Sequence, residues 1–373
     1  MKKLLFTLII LLFLMHIPLP AYATEDYSTD TLQSDIYNEL ENAIDKSTLE
    51  TLKKIGISDF DFDEIYNISF NKISSFFSQT LKEKSTDVLN NFFRLFSVVL
   101  FAGIVSALFS DYTDDNFSSI LSSVIITMMS VNVISDSLNT VVSVLQTSGK
   151  FMLSFAPVYT LIISMSGNTA SALTYNTFAV FFAEIISTVI STGAIDFIGC
   201  YFCLGISFSM NESINVGKFT TTVNRIINTF LGFIASVFTG YLSLRNILSV
   251  SVDRVSVRSI RFLISSLIPV VGSSISEAYS SLLGSINLIK SSVAIVGILV
   301  ILIINTPIVI ETLAYYISFN ILSYTSDILS ANKTGDIFRI FSSGIRILLL
   351  LCIFEMFIMI ISIGIILSVK SGG

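Results

Sequence analysis

Apolar residues lie along this chain in long blocks, not in the narrow stripes of a soluble amphipathic helix. Blocks long enough to cross a hydrocarbon layer of about 30 Å occupy residues 92–110, 117–135, 170–191, 193–210, 226–244, 291–310, 311–328 and 347–368. They predict an all-α fold, a polytopic transmembrane helix bundle of about 8 spans. Two further apolar stretches are interrupted. Residues 151–166 contain Pro157, and residues 262–289 contain Pro269, Gly272 and Gly284 among many serines. Each can be read as a full span, a re-entrant element or an interfacial helix. Irregular backbone at membrane depth needs protein or water to satisfy its polar groups.

The N-terminus follows a different rule. Lys2 and Lys3 precede the apolar run Leu4 to Ile17, then Pro18, Pro20 and Ala21-Tyr22-Ala23. That order predicts a cleavable signal peptide over residues 1–23. Residues 24–90 hold fourteen acidic residues against six lysines. Leu32, Ile36, Leu40 and Ile44 recur at helical spacing, so short amphipathic helices are expected there. Following an export signal, this acidic helical segment is expected outside the cytoplasm, and residues 91–370 form the transmembrane helical domain. Asp59, Asp61, Asp63 and Glu64 lack the glycine and terminal glutamate of a calcium loop, which leaves a solvated acidic face.

Composition narrows the chemistry. Only 13% of residues are charged, against about 25% in a soluble domain. A net charge of −6 argues against a nucleic-acid partner. The one histidine, His16, lies in the signal, so the mature chain lacks the commonest general base. Cys200-x-x-Cys203 has a spacing used by zinc and thiol redox sites, but further Cys or His ligands are missing. With Cys352 they are expected to be buried small hydrophobes. Gly217-Lys218-Phe219-Thr220 imitates the end of a phosphate loop, yet Glu212 stands where its first glycine belongs. The reading is therefore a non-enzyme with no cofactor and no metal. The basic clusters Arg245, Arg254, Arg258, Arg261 and Lys333, Arg339, Arg346 both fall on the cytoplasmic side if neither interrupted stretch crosses.

Ionisable residues within or beside spans are the candidates for function, because charge in hydrocarbon is costly. They are Arg94, Glu184, Asp196, Glu277, Glu311 and Glu355. Glu184 and Glu355 sit deepest in their apolar runs and suit an ion or proton path, or polar contacts between helices. Arg94 is expected to snorkel, and Asp196 and Glu311 to cap helix ends. Lys150-Phe151-Met152-Leu153-Ser154 leading to Pro157-Val158 is echoed by Arg261-Phe262-Leu263-Ile264-Ser265 leading to Pro269-Val270. Such paired, proline-interrupted elements occur in inverted repeats of transport folds; chance in an apolar sequence is the alternative. Pro157, Pro269, Gly167 and Gly272 join Glu184 and Glu355 as candidate pathway or helix-packing residues.

The stretch Ser166-Gly167-Asn168-Thr169-Ala170-Ser171-Ala172-Leu173 resembles a small-residue signature of the stage III sporulation protein AE family. So does Leu267-Ile268-Pro269-Val270-Val271-Gly272, continuing through Glu277-Ala278 to Ile289-Lys290-Ser291-Ser292 and Val296-Gly297. The resemblance implies a multi-pass protein of the mother-cell membrane around the forespore. It implies a non-ATPase role in a secretion-like channel complex needed for forespore development. Its implied partners are other stage III proteins, namely a cytoplasmic ATPase and ring-forming extracytoplasmic subunits, besides the lipid bilayer. A scaffold without a conducting path, an ion-coupled transporter-like protein and self-association into a homo-oligomer stay open as alternatives.

Overall fold

A computed structural model describes residues 38–42, 44–57, 70–109, 115–211, 214–267, 272–329 and 331–367. The signal segment, the Asp59–Glu64 cluster and Pro269 lie outside these. Among the described residues there is helix and no strand. A short α1 (Lys46–Ile55) precedes the long α2 (Phe70–Phe109) and α3 (Asp115–Met165). α4 (Thr169–Glu184) runs through a π-helical segment, Ile185–Ile190, into α5 (Ser191–Ser209). Then come α6 (Val216–Leu267), α7 (Gly272–Ile328) and α8 (Asn332–Leu367).

The first described element is set by its caps. Asp45 precedes α1 and accepts a hydrogen bond from the Thr48 amide at 3.2 Å and from the Thr48 hydroxyl at 2.6 Å. Gly56, at φ 101°, ends the helix, and the Ile57 amide reaches back to the Leu52 carbonyl at 3.0 Å. Leu52, Ile55 and Ile57 are buried together with Leu40 and Ile44, so this part of the acidic segment packs into the main core. No turn separates residues 90 and 91, which both lie in α2.

The long helices alternate in direction. Lys84 meets Glu311 and Asn91 meets Tyr315, so α2 and α7 run parallel. Ser148 meets Asn305 while Phe155 lies against Gly297, so α3 and α7 run antiparallel. Ser123 lies beside Thr334, and α8 runs with α3. Asn224 with Ser343 and Phe238 with Ile358 set α6 parallel to α8; Tyr241 with Thr174 sets α4 against α6. Among the described residues the result is an up-and-down bundle of six long rods, taking α4, the π segment and α5 as one.

This arrangement merges spans that the sequence pattern separates. Residues 170–191 and 193–210 fall in one uninterrupted helical rod, and 291–310 and 311–328 both fall in α7. Four helical stretches among the described residues are long and apolar enough to cross a membrane: Asn71–Ile104, Leu121–Met165, Leu283–Ile328 and Asn332–Gly364. Residues 151–165 continue α3 as helix, with no re-entrant break. Pro157 stays inside α3 with its ring exposed, while Phe151, Met152, Phe155, Ala156, Tyr159, Ile162 and Ile163 are buried. The stretch is apolar because protein surrounds it, and a proline in such a helix is tolerated when neighbours satisfy the freed carbonyl.

Candidate functional site

Three helices bring polar side chains together at one level of the apolar bundle. α3 supplies Ser148, α7 supplies Asn305 and α8 supplies Glu355, all buried, with Glu355 only 2% exposed. The Asn305 Nδ2 donates to Ser148 Oγ at 3.0 Å and to the Ile301 carbonyl at 3.0 Å. Its Oδ1 is buried without a partner. The Glu355 carboxyl reaches both Ser148 and Asn305, yet neither of its oxygens meets hydrogen-bond geometry with them. Among the described residues no Lys or Arg forms an ion pair with Glu355. An ionised carboxylate left so would cost several kcal/mol of lost hydration, about the scale of a charge at the centre of a membrane helix.

A cavity of about 330 Å³ adjoins this layer. Asp45, Thr48 and Thr51 of α1 line one wall, Thr147 of α3 and Ile304 and Pro307 of α7 the other. Thr147 and Ile304 are the chain neighbours of Ser148 and Asn305. The cavity is large enough and polar enough for several waters. At its rim Asp45 loses hydration, which pushes its carboxyl up. Bonds from Ser47 and from the Thr48 side chain and backbone outweigh this and hold it below the usual carboxylate range.

The other sequence candidates lie elsewhere. Glu184 closes α4 and is exposed beside the π segment, so the two deep glutamates share no site. Gly167 takes φ 82° in the turn between α3 and α4. There its amide bonds the Ser164 carbonyl at 3.0 Å and the Asn168 amide bonds Ile163 at 3.3 Å, a Schellman closure. Asn168, buried, ties the turn further by donating to Ser166 Oγ at 2.9 Å. Gly272 opens α7. Cys200 and Cys203 are exposed on α5, a correction to their expected burial, because that face of the helix has no neighbour in the bundle; Cys352 is buried. Glu311 does not cap a helix end: it sits in mid-α7 and pairs with Lys84 at 2.7 Å. Arg94 and Asp196 are exposed. The Ser148 and Asn305 positions escaped the sequence reading, since a lone serine and a lone asparagine in apolar runs carry no spacing signal.

Residues 57–370 match the family model described as stage III sporulation protein AE. A protein of Bacillus subtilis (strain 168) named stage III sporulation protein AE is 20% identical over 211 residues, covering 56% of this chain. The match spans about half of that relative, 53% of its length. No solved structure matches the chain.

Proposed function

Since the chain belongs to the stage III sporulation protein AE family, we propose that it is the polytopic, non-ATPase subunit of a channel complex joining mother cell and forespore. The observation that favours a conducting role is the buried polar layer of Ser148, Asn305 and Glu355 inside apolar helices. Polar groups at that depth mark pathways or assembly contacts, because placing them there costs stability. Residues 24–90 face the space between the two membranes in this reading and meet the ring-forming subunits. The chain hydrolyses nothing; the ATPase partner supplies energy from the cytoplasm. Glu184, exposed beside the π segment, contacts lipid headgroups or a partner subunit in this scheme.

The test is complementation in a spore-former. A strain carrying Glu355→Leu is followed for forespore development, while cross-linking reports whether the ATPase and ring proteins still assemble on it. Arrested development with normal assembly is the expected result. Normal development with normal assembly would remove the pathway and leave a scaffold.

A further inference from the structure

Donors and acceptors in the polar layer do not balance as they stand. Asn305 donates through Nδ2 to Ser148 Oγ, which leaves the Ser148 hydroxyl hydrogen free to point at Glu355. The Asn305 Oδ1 and both Glu355 oxygens are acceptors, buried and unsatisfied. One more hydrogen is needed. A proton on Glu355 supplies it and closes a ring: Asn305 N–H to Ser148 Oγ, Ser148 O–H to one Glu355 oxygen, Glu355 O–H to Asn305 Oδ1. A metal cation would satisfy the acceptors but would compete with the Ser148 donor.

We propose that Ser148, Asn305 and Glu355 form a proton-binding site between α3, α7 and α8, loaded through the cavity beneath α1. The ligand is a proton from water. The cavity lined by Thr147, Ile304 and Asp45 has room for water one residue along α3 and α7 from Ser148 and Asn305. Charged groups stand on each surrounding element. α3 carries exposed Asp136 and Lys150, α7 carries Glu311, already paired with Lys84 of α2, and the buried Lys290, α8 carries Lys333, Asp336, Arg339 and Arg346, and Asp45 caps α1. On α8 itself the titratable neighbour is Cys352, buried one turn before. None of these supplies Glu355 with an ion pair. Releasing the proton leaves an unpaired carboxylate among three helices, so proton loss and separation of these helices are coupled. The inference rests on reading the chain as a membrane subunit with a pathway through this layer.

Infrared difference spectra of the purified full-length protein in lipid nanodiscs test it. At neutral pH the wild type should show the carbonyl stretch of a protonated carboxylic acid, lost in strongly alkaline buffer. Glu355→Gln should lack that band and keep its helix content, because the glutamine amide can donate to Asn305 and accept from Ser148. If that variant fails to fold, Ser148→Ala and Asn305→Leu give the same assignment by shifting the band's frequency. A wild type with no such band, or a band that none of these changes alters, overturns the proposal and leaves the sporulation role standing. A band lost in Glu355→Gln together with normal forespore development upholds the proton site and removes the pathway reading.

Discussion

Asn305 of α7 bonds Ser148 on α3 and lies beside Glu355 on α8. Asn305→Leu keeps the branched shape and removes both the donor and the acceptor. Ser148 Oγ then loses its donor and Glu355 its acceptor, at about 1–3 kcal/mol for a buried polar group left unsatisfied. Thermal unfolding in detergent should show a lowered Tm, whereas Glu355→Gln should cost much less. Asp45 acts at the surface of the same region. Asp45→Ala removes a helix N-cap, a loss of about 1 kcal/mol, and should speed hydrogen exchange in α1. The sign of its pH dependence follows from bonds that hold its folded value low. Its contribution is present above the unfolded value near about 3.9. It fades as pH falls through the lower folded value, so α1 protection should drop only in acid and not change in Asp45→Ala. Burial was the part of this site that the sequence did not disclose. Glu184 and Glu355 are each a lone carboxylate in an apolar run, but Glu355 is buried beside two neighbouring helices and Glu184 is exposed.

Two glycines show how the elements are held. Gly297 of α7 lies so close to α3 and α8 that a Cβ there would sit 2.6 Å from Phe155 Cζ and 3.2 Å from Ile363 Cδ1. Phe155 is fully buried and cannot step aside, so Gly297→Ala should destabilise by about 1–3 kcal/mol through overpacking, read as a lower Tm. Small residues allow membrane helices this approach. Gly167 fails differently: at φ 82° an alanine is strained whatever the space, at about 1 kcal/mol. The Ser166–Leu173 signature is thus legible as structure, a tight turn that reverses α3 into α4 with Asn168 locking it. Pro157 was not legible. A proline in a short apolar stretch looks the same whether the helix breaks or whether, as here, the ring points outward and packed neighbours carry the helix through.

At the scale of the whole molecule, helix length decides the topology. α3 has 51 residues and is about 76 Å long at 1.5 Å per residue, more than twice the hydrocarbon core of about 30 Å. Its exposed face changes along that length. Leu121, Ile125, Met128 and Met129 are exposed apolar residues, followed by exposed Asn132, Ser135, Asp136, Asn139 and Thr140. The exposed apolar residues fall within the expected span 117–135, and the exposed polar run begins at Asn132, before that span ends. Merging 170–191 with 193–210 removes one crossing from the chain. Five crossings before residue 256 become four, so the basic run Arg245 to Arg261 and the start of α8 near Lys333 lie at opposite ends of the up-and-down bundle. They cannot both face the cytoplasm if each long rod crosses once, and the positive-inside bias must be set aside for one of them. A single-cysteine map decides this, in a background where Cys200, Cys203 and Cys352 are replaced by serine or alanine. A cysteine at 256 should react with a membrane-impermeant maleimide from the same side as one at 42, and a cysteine at 334 from the other side. Reaction of 256 and 334 from one side would mean that the rod from 169 to 209 turns within the membrane, and its π segment would be the place to look for that turn.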